Sequence, residues 1–200
     1  MTYEIVLALT TFAFVSSVTP GPNNLMLMTS GANFGFRRTV PHLLGVSIGF
    51  SVMVLALGVG VAGLFALVPQ AWVVLKLVSV AYMVWLAWKI AHAAPPKARE
   101  AGGRPFSFWQ AAAFQWVNPK AWAMALTALS AYAPLPGLAG VVVVSGVFGP
   151  INLVCISLWV LIGQGMARFL TGRARLRAFN WTMAALLLAS LYPVLTAHIH

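Results

Sequence analysis

Long runs of uncharged residues constrain this chain more than any other feature. The first run extends from Ile5 to Phe36 and contains no Asp, Glu, Lys or Arg over 32 residues. A helix needs about 20 apolar residues to cross the hydrocarbon core of a membrane. Five further stretches are long enough, so we predict an all-α polytopic membrane protein with six spans, at about 5–36, 43–68, 71–90, 108–132, 138–167 and 179–197.

The composition supports a membrane protein and argues against a soluble one. Charged residues make up only 7% of the chain and hydrophobic residues 61%, whereas a soluble domain carries about 25% charged residues. The formal net charge of +10 is also typical of nucleic-acid binding, but long uncharged stretches separate the basic residues. We therefore expect a lipid bilayer as the surroundings and no nucleic acid as a partner.

The basic residues predict the orientation of the chain. Connections one–two, three–four and five–six contain or adjoin ten of the twelve Lys and Arg residues: Arg37, Arg38, Lys89, Lys97, Arg99, Arg104, Arg168, Arg173, Arg175 and Arg177. Basic connections stay in the cytoplasm. We therefore predict that both termini face the periplasm and that the protein lies in the bacterial inner membrane.

A connection at 93–106, rich in Pro, Gly and charge, divides the single transmembrane domain at 1–200 into two halves, 1–92 and 107–200. Each half has three predicted spans, and because three is odd the halves are inverted relative to each other. Inverted repeats are a common plan of secondary transporters, with the binding site near the midplane between broken helices. Pro and Asn interrupt the opening span of each half near its middle.

The first interruption is Pro20-Gly21-Pro22-Asn23-Asn24. A straight helix of 32 residues would be about 48 Å long, which is longer than the hydrocarbon core. The two prolines lack an amide hydrogen, so the carbonyls of Ser16 and Val18 lose their helical partners. Irregular backbone at this depth is tolerated where it is buried in protein or lines a cavity.

The second interruption is Asn118-Pro119-Lys120, where Pro119 releases the carbonyl of Gln115. Lys120 lies about ten residues inside its span, and intramembrane charges are costly and mark functional sites. Freed carbonyls can accept from an ammonium group, and new helix N-termini favour a carboxylate. We therefore predict a binding site for a zwitterion, formed by Pro20, Gly21, Pro22, Asn23, Asn24, Asn118, Pro119 and Lys120.

Two weaker patterns lie in the fifth and second spans. Gly149, Pro150 and Asn152 predict a kink that lines the same cavity. Gly45 and Gly49 have the spacing typical of close helix packing. The structural alternative for the whole site is that the prolines only kink packed helices and Lys120 only holds the fold.

Several motifs together resemble those of the LysE/RhtB family of amino-acid exporters: Thr19-Pro20-Gly21-Pro22-Asn23-Asn24, Gly45-Val46-Ser47-Ile48-Gly49-Phe50, Tyr82–Ala91 and Val117-Asn118-Pro119-Lys120. The chain is most similar to the cysteine and O-acetylserine exporters. The resemblance implies proton-driven export of a small neutral amino acid from the cytoplasm. Homoserine or threonine, branched-chain and basic amino acids are the alternative substrates. Many members carry Asp after Pro-Gly-Pro, whereas Asn23 cannot carry a proton; Lys120 is then a substrate anchor, a proton carrier or a structural cation.

Enzyme and channel functions fit the sequence less well. Metalloenzymes and aspartyl proteases need ligand clusters or paired acids, but the chain has no Asp, one cysteine and only Glu4 and Glu100 as acids. A Ser–Lys dyad with Lys120 would need a nucleophilic Ser, and nothing marks one. No span has the continuous polar face of a channel. We expect no cofactor and no metal, an amino acid as the small-molecule partner, and leave a homo-oligomer open.

Overall fold

The computed structural model describes residues 3–61, 70–92, 104–170 and 172–192. These residues form seven α-helices and no strand: α1 Tyr3–Val18, α2 Pro22–Ala56, α3 Gln70–Ala91, α4 Phe108–Phe114, α5 Pro119–Ala131, α6 Gly137–Ala167 and α7 Arg173–Ala189. A π-helical turn, Leu57–Val61, continues α2, and a 3₁₀ turn, Gln115–Val117, follows α4. The predicted all-α class is confirmed for these residues.

Three helical stretches are long and apolar enough to cross a membrane, Pro22–Gly60, Val73–Ala91 and Gly137–Ala167, whereas the apolar helix α1 is shorter. Many large apolar side chains point outward, among them those of Leu77, which is 64% exposed, and Val154, which is 63% exposed. Apolar surface on this scale is typical of a protein that contacts lipid. The chain is therefore a polytopic membrane protein.

The chain folds back within α2, at Gly35. Gly35 has φ 76°, a value that residues with side chains rarely adopt. The hydroxyl groups of Ser30 and Thr39 lie 2.9 Å apart, whereas a continuous helix would separate these residues by about 13 Å along its axis. The amide of Phe36 donates to Gln164 Oε1 on α6 at 2.8 Å. The connection predicted between 36 and 43 is therefore a turn at one glycine.

Helix α6 packs against both parts of α2, the part before the turn at Gly35 and the part after it. A Cβ atom on Gly31 would collide with the carbonyl oxygen of Val160, and one on Gly163 with that of Met28. In the part of α2 after Gly35, Ser47 Oγ donates to the carbonyl of Gly149 at 3.2 Å. Small residues at these positions let the helix backbones approach closely.

The predicted close packing at Gly45 and Gly49 is confirmed, and the partner is α4. A Cβ atom on Gly45 would meet the carbonyl oxygen of Phe108, and one on Gly49 would lie 2.6 Å from Ala112 Cα. Helix α4 begins with a capping box in which Ser107 Oγ accepts from the amide of Gln110 at 3.2 Å. This packing fixes the position of the break that follows α4.

The remaining predicted boundaries differ from the structure in detail. Helix α6 is continuous across Pro150. Helix α7 begins at Arg173, six residues before the predicted start at 179, so three of the arginines assigned to a connection lie in its first turns. The ends of the second and sixth predicted spans and most of the 93–106 connection lie outside the described residues.

Candidate functional site between the two broken helices

The two interruptions predicted from the sequence lie against each other in the structure. Lys120, in the first turn of α5, donates from Nζ to the carbonyl of Thr19 at 2.5 Å and to that of Pro20 at 3.4 Å. Both carbonyls belong to the break between α1 and α2, about 100 residues earlier. A charged donor on a backbone carbonyl makes a strong hydrogen bond. The ammonium group therefore links one break to the other.

Gly21 makes room for this side chain. A Cβ atom at position 21 would lie 2.6 Å from Lys120 Cδ and 3.1 Å from Nζ. The backbone of Gly21 is extended, with φ −170°, a conformation open to any residue. Space, and not backbone conformation, is what requires a glycine here.

A pair of amide side chains forms a second link between the breaks. Asn23 Nδ2 donates to Gln115 Oε1 at 2.8 Å, and Gln115 Nε2 donates back to Asn23 Oδ1 at 3.2 Å. Gln115 also donates to the carbonyl of Ala111 at 2.9 Å, and its side chain is fully buried. Each half of the chain thus contributes one residue to a closed, satisfied amide pair.

Side chains satisfy most of the backbone groups that the prolines expose. Asn24 Nδ2 donates to the carbonyls of Ser17 and Thr19, both at 2.9 Å. The indole of Trp159 on α6 donates to the carbonyl of Val18 at 3.2 Å. The sequence predicted that this carbonyl would be freed for a ligand, and in the structure it already has one protein partner.

The second break is capped in the same way. Asn118 Oδ1 accepts from the amide of Lys120 at 3.2 Å and caps α5. The carbonyl of Gln115, which Pro119 was expected to release, accepts from the amide of Asn118 at 3.3 Å. The ammonium group of Lys120 and the amide of Gln115 are therefore the two polar groups of this break that reach across to the other break.

A cavity lies between the breaks and α6. Six of the residues predicted from the sequence line it, and five others that the sequence did not indicate join them: Gly21, Asn23, Asn24, Asn118, Lys120 and Asn152, with Ser16, Ser17, Phe50, Ala121 and Met124. Pro20, Pro22 and Pro119 lie within the breaks beside it without lining it. Gly149 and Pro150 do not line it, and Pro150 is exposed.

The cavity has a polar part and an apolar part. The lining amides, hydroxyl groups and Lys120 form the first, and Phe50, Ala121 and Met124 form the second. Lys120 is the only lining residue that can ionise, and the only carboxylate among the described residues is that of Glu4, exposed near the start of α1. Such a site favours a ligand with a carboxylate and a small uncharged side chain.

In this conformation the cavity is small. The centre of a water molecule can occupy about 20 Å³ of it, little more than the roughly 10–15 Å³ that one water needs. A ligand larger than water therefore requires the walls to move. The Lys120 side chain, which lies across Gly21 and is held by hydrogen bonds alone, is the wall with the most freedom.

The sequence analysis did not single out several residues of the site, and their sequence context pointed to them to different degrees. Ser16 and Ser17 directly precede the first break, and Gln115 is an uncharged polar residue three positions before Asn118, so each could have been suspected. Phe50 and Met124 look like ordinary apolar residues of a span. Their place in the cavity follows from helix packing, which no local pattern encodes.

Comparison with known proteins identifies the family. Residues 14–191 match the family described as LysE type translocator. The chain belongs to this family. It is 35% identical to proteins named cysteine/O-acetylserine efflux protein from Escherichia coli O139:H28, over 94% of this chain and 96% of the relative, and from Escherichia coli strain K12 and Shigella sonnei, over 94% and 95%.

No solved structure matches the chain. The family and the relatives are translocators and efflux proteins, so the protein is a transporter and not an enzyme. The similarity covers both broken helices and nearly the whole of each relative.

Proposed function

We propose that this protein is a secondary transporter that exports a small neutral amino acid or derivative from the bacterial cytoplasm, with cysteine and O-acetylserine as the leading substrates. The relatives are named for the efflux of these two compounds. The observation that carries the proposal is the contact of Lys120 with the carbonyls of the opposite break, in a cavity without a carboxylate. An acid would be expected in a site for lysine or arginine.

In this proposal the chain crosses the inner membrane six times as two inverted three-helix halves, with both termini in the periplasm. Three features support it. The chain folds back at Gly35 beside the exposed Arg37 and Arg38. The opening helix of each half is broken, at 19–21 and at 115–118. Basic residues occupy the connections assigned to the cytoplasm.

The substrate carboxylate binds the ammonium group of Lys120. In the structure this group is bound to the carbonyl oxygens of Thr19 and Pro20, which carry partial charges, whereas a carboxylate carries a full charge and makes the stronger partner. When Lys120 turns towards the carboxylate, the side chain leaves the space beside Gly21. The same movement enlarges the cavity and frees the carbonyl of Pro20, whereas the carbonyl of Thr19 keeps its hydrogen bond from Asn24.

Export is driven by the proton gradient, and the alternative role of Lys120 is to exchange the proton instead of anchoring the carboxylate. Coupling requires an ionisable group that both sides of the membrane reach in turn. Position 23 holds Asn, which cannot ionise, and Lys120 is the one lining residue that can. The proton must move inward while the substrate moves outward, so an ammonium charge that holds the carboxylate on the outward step cannot also deliver that proton. The two roles of Lys120 therefore exclude each other.

Counterflow in proteoliposomes tests the function, because it requires substrate binding and movement but no net proton transfer. Labelled cysteine or O-acetylserine should exchange through the wild-type protein. Lys120→Gln should reduce exchange at least about tenfold, since a hydrogen bond to a charged group contributes about 1.5–3 kcal/mol. Lys120→Arg should keep part of the exchange if Lys120 is the anchor, and should lose accumulation driven by a pH gradient if Lys120 is the proton carrier.

Lys76→Gln on α3 is the matched control, because it removes a lysine from a predicted span without touching the cavity. It should exchange like the wild type. Exchange of lysine or arginine alone would contradict the proposed site chemistry. Wild-type exchange by Lys120→Gln together with normal proton-driven accumulation would show that Lys120 only holds the fold.

A further inference from the structure

Asn152 on α6 is an unusual member of the cavity wall. Its side chain is only 5% exposed, and Nδ2 donates to Ser17 Oγ at 3.2 Å. Its Oδ1 atom is buried and has no hydrogen-bond partner among the residues that the structure describes. Buried amide oxygens are nearly always paired, because an unpaired one has lost its water without compensation. An orphaned acceptor in a binding cavity therefore calls for a ligand donor.

The other amides of the cavity already have protein partners. Asn23 is closed in its pair with Gln115, Asn24 donates to two carbonyls at the end of α1, and Asn118 caps α5. Their roles are to hold the breaks in place. Asn152 is different because one end of its amide is fixed by Ser17 while the unpaired end, Oδ1, is fully buried.

We propose that Asn152 Oδ1 accepts a hydrogen bond from the ammonium group of the substrate and so selects zwitterionic amino acids. This inference rests on the proposed transport function and adds to it a third helix, α6, and a second polar contact. Lys120 attracts the carboxylate and repels the ammonium group, so the ammonium group needs an acceptor elsewhere in the same cavity. Asn152 is an acceptor there that no donor among the described residues occupies.

A neutral acceptor also explains what the site excludes. An Asp at this position would attract an ammonium group more strongly but would equally attract the side chain of lysine or arginine. An uncharged Asn distinguishes the ammonium group of the substrate from a basic side chain by position alone, because the hydrogen bond from Asn152 Nδ2 to Ser17 fixes where the amide oxygen lies. The side chain of the substrate is then left to face Phe50, Ala121 and Met124, which suits a small apolar or sulfur-containing group.

The test compares ligands that lack one charged group. Unlabelled cysteine, 3-mercaptopropionate, which lacks the ammonium group, and cysteamine, which lacks the carboxylate, compete for counterflow of labelled cysteine. The wild-type protein should prefer cysteine to 3-mercaptopropionate. Asn152→Leu, close in shape but without an acceptor, should reduce that preference about 10- to 100-fold, the range expected for a hydrogen bond to a charged group.

Asn180→Leu is the matched control, because Asn180 is equally buried but lies on α7 away from the cavity. It should leave the preference unchanged. Asn152→Asp is the second variant, in case the leucine variant does not accumulate in the membrane; it should increase inhibition by cysteamine at least about tenfold.

An unchanged preference for cysteine over 3-mercaptopropionate in Asn152→Leu would overturn the inference. So would a loss of discrimination against cysteamine instead, because Asn152 would then contact the carboxylate. Unchanged inhibition of Asn152→Asp by cysteamine would also overturn it. If the wild-type protein catalyses no counterflow of any small neutral amino acid, the proposed function fails first, and this result is distinct from all three.

Discussion

Replacing Gly21 by alanine would displace Lys120 without disturbing the helices around it. The added Cβ atom would lie 2.6 Å from Lys120 Cδ, and ordinary contact begins near 3.4 Å, so the side chain must retreat by about 0.8 Å. The Nζ–Thr19 hydrogen bond, now 2.5 Å, would lengthen to about 3.3 Å if the ammonium group follows, beyond the 2.7–3.2 Å range of N–H···O bonds. The contact of Lys120 with the carbonyl of Thr19 would therefore be weakened.

The expected cost follows from the chemistry of that contact. A hydrogen bond that involves a charged group contributes about 1.5–3 kcal/mol, which corresponds to roughly a 10- to 150-fold change in an equilibrium. Protein levels should remain normal, because the displaced atom belongs to a flexible side chain and not to backbone. The affinity for cysteine, measured from the concentration dependence of counterflow, should rise about tenfold, because Lys120 then gives up less when it turns to the substrate carboxylate.

A double-mutant cycle makes this prediction specific to Lys120. In a Lys120→Ala background, Gly21→Ala should have little further effect, because the side chain it displaces is absent. Gly146→Ala is the control, since a Cβ atom there would meet nothing within 4 Å. Equal effects of Gly21→Ala with and without Lys120, or normal affinity in Gly21→Ala alone, would refute the reasoning.

Two further predictions concern the fold. With Cys155 replaced by Ser, a cysteine at position 3 should react with an impermeant maleimide in intact cells and one at position 175 only after permeabilisation; the reverse pattern would invert the proposed topology. Gly31→Ala would place a Cβ atom against the carbonyl oxygen of Val160 and should lower stability in detergent by about 1–3 kcal/mol. An unchanged thermal midpoint would show that α2 and α6 can move apart at this contact without loss of stability.

The breaks were predictable from the sequence because their cause is local. A proline removes a backbone donor wherever it stands, so Pro20, Pro22 and Pro119 marked candidate interruptions. The continuous helix α6 across Pro150 shows that a proline alone does not decide a break. The close packing at Gly45 and Gly49 was predictable for a similar reason, since a row of glycines removes side-chain bulk from one helix face. Lys120 stood out because a charge deep in an apolar run is costly.

The partners of these groups were not predictable, because they depend on which helices become neighbours. Trp159 reaches the carbonyl of Val18, and Gln164 takes the amide of Phe36 at the fold-back. Gln115 pairs with Asn23 across 92 positions of the chain. Each is an uncharged polar or amphipathic residue, and the sequence alone offers several possible hydrogen-bond partners for it. Only the packing around α6 determines which partner is within reach.

The need to satisfy broken backbone links the proposed site to the movement that transport requires. A membrane offers no water to exposed carbonyls, so the carbonyl of Thr19 draws in Lys120 from the other half of the chain. A substrate carboxylate that takes Lys120 removes this contact between the breaks, whereas the Asn23–Gln115 pair has no charged member for it to attract. In the proposed mechanism, substrate binding loosens the two broken helices at one link and keeps the other, which would let the two proposed inverted halves move relative to each other as alternating access requires.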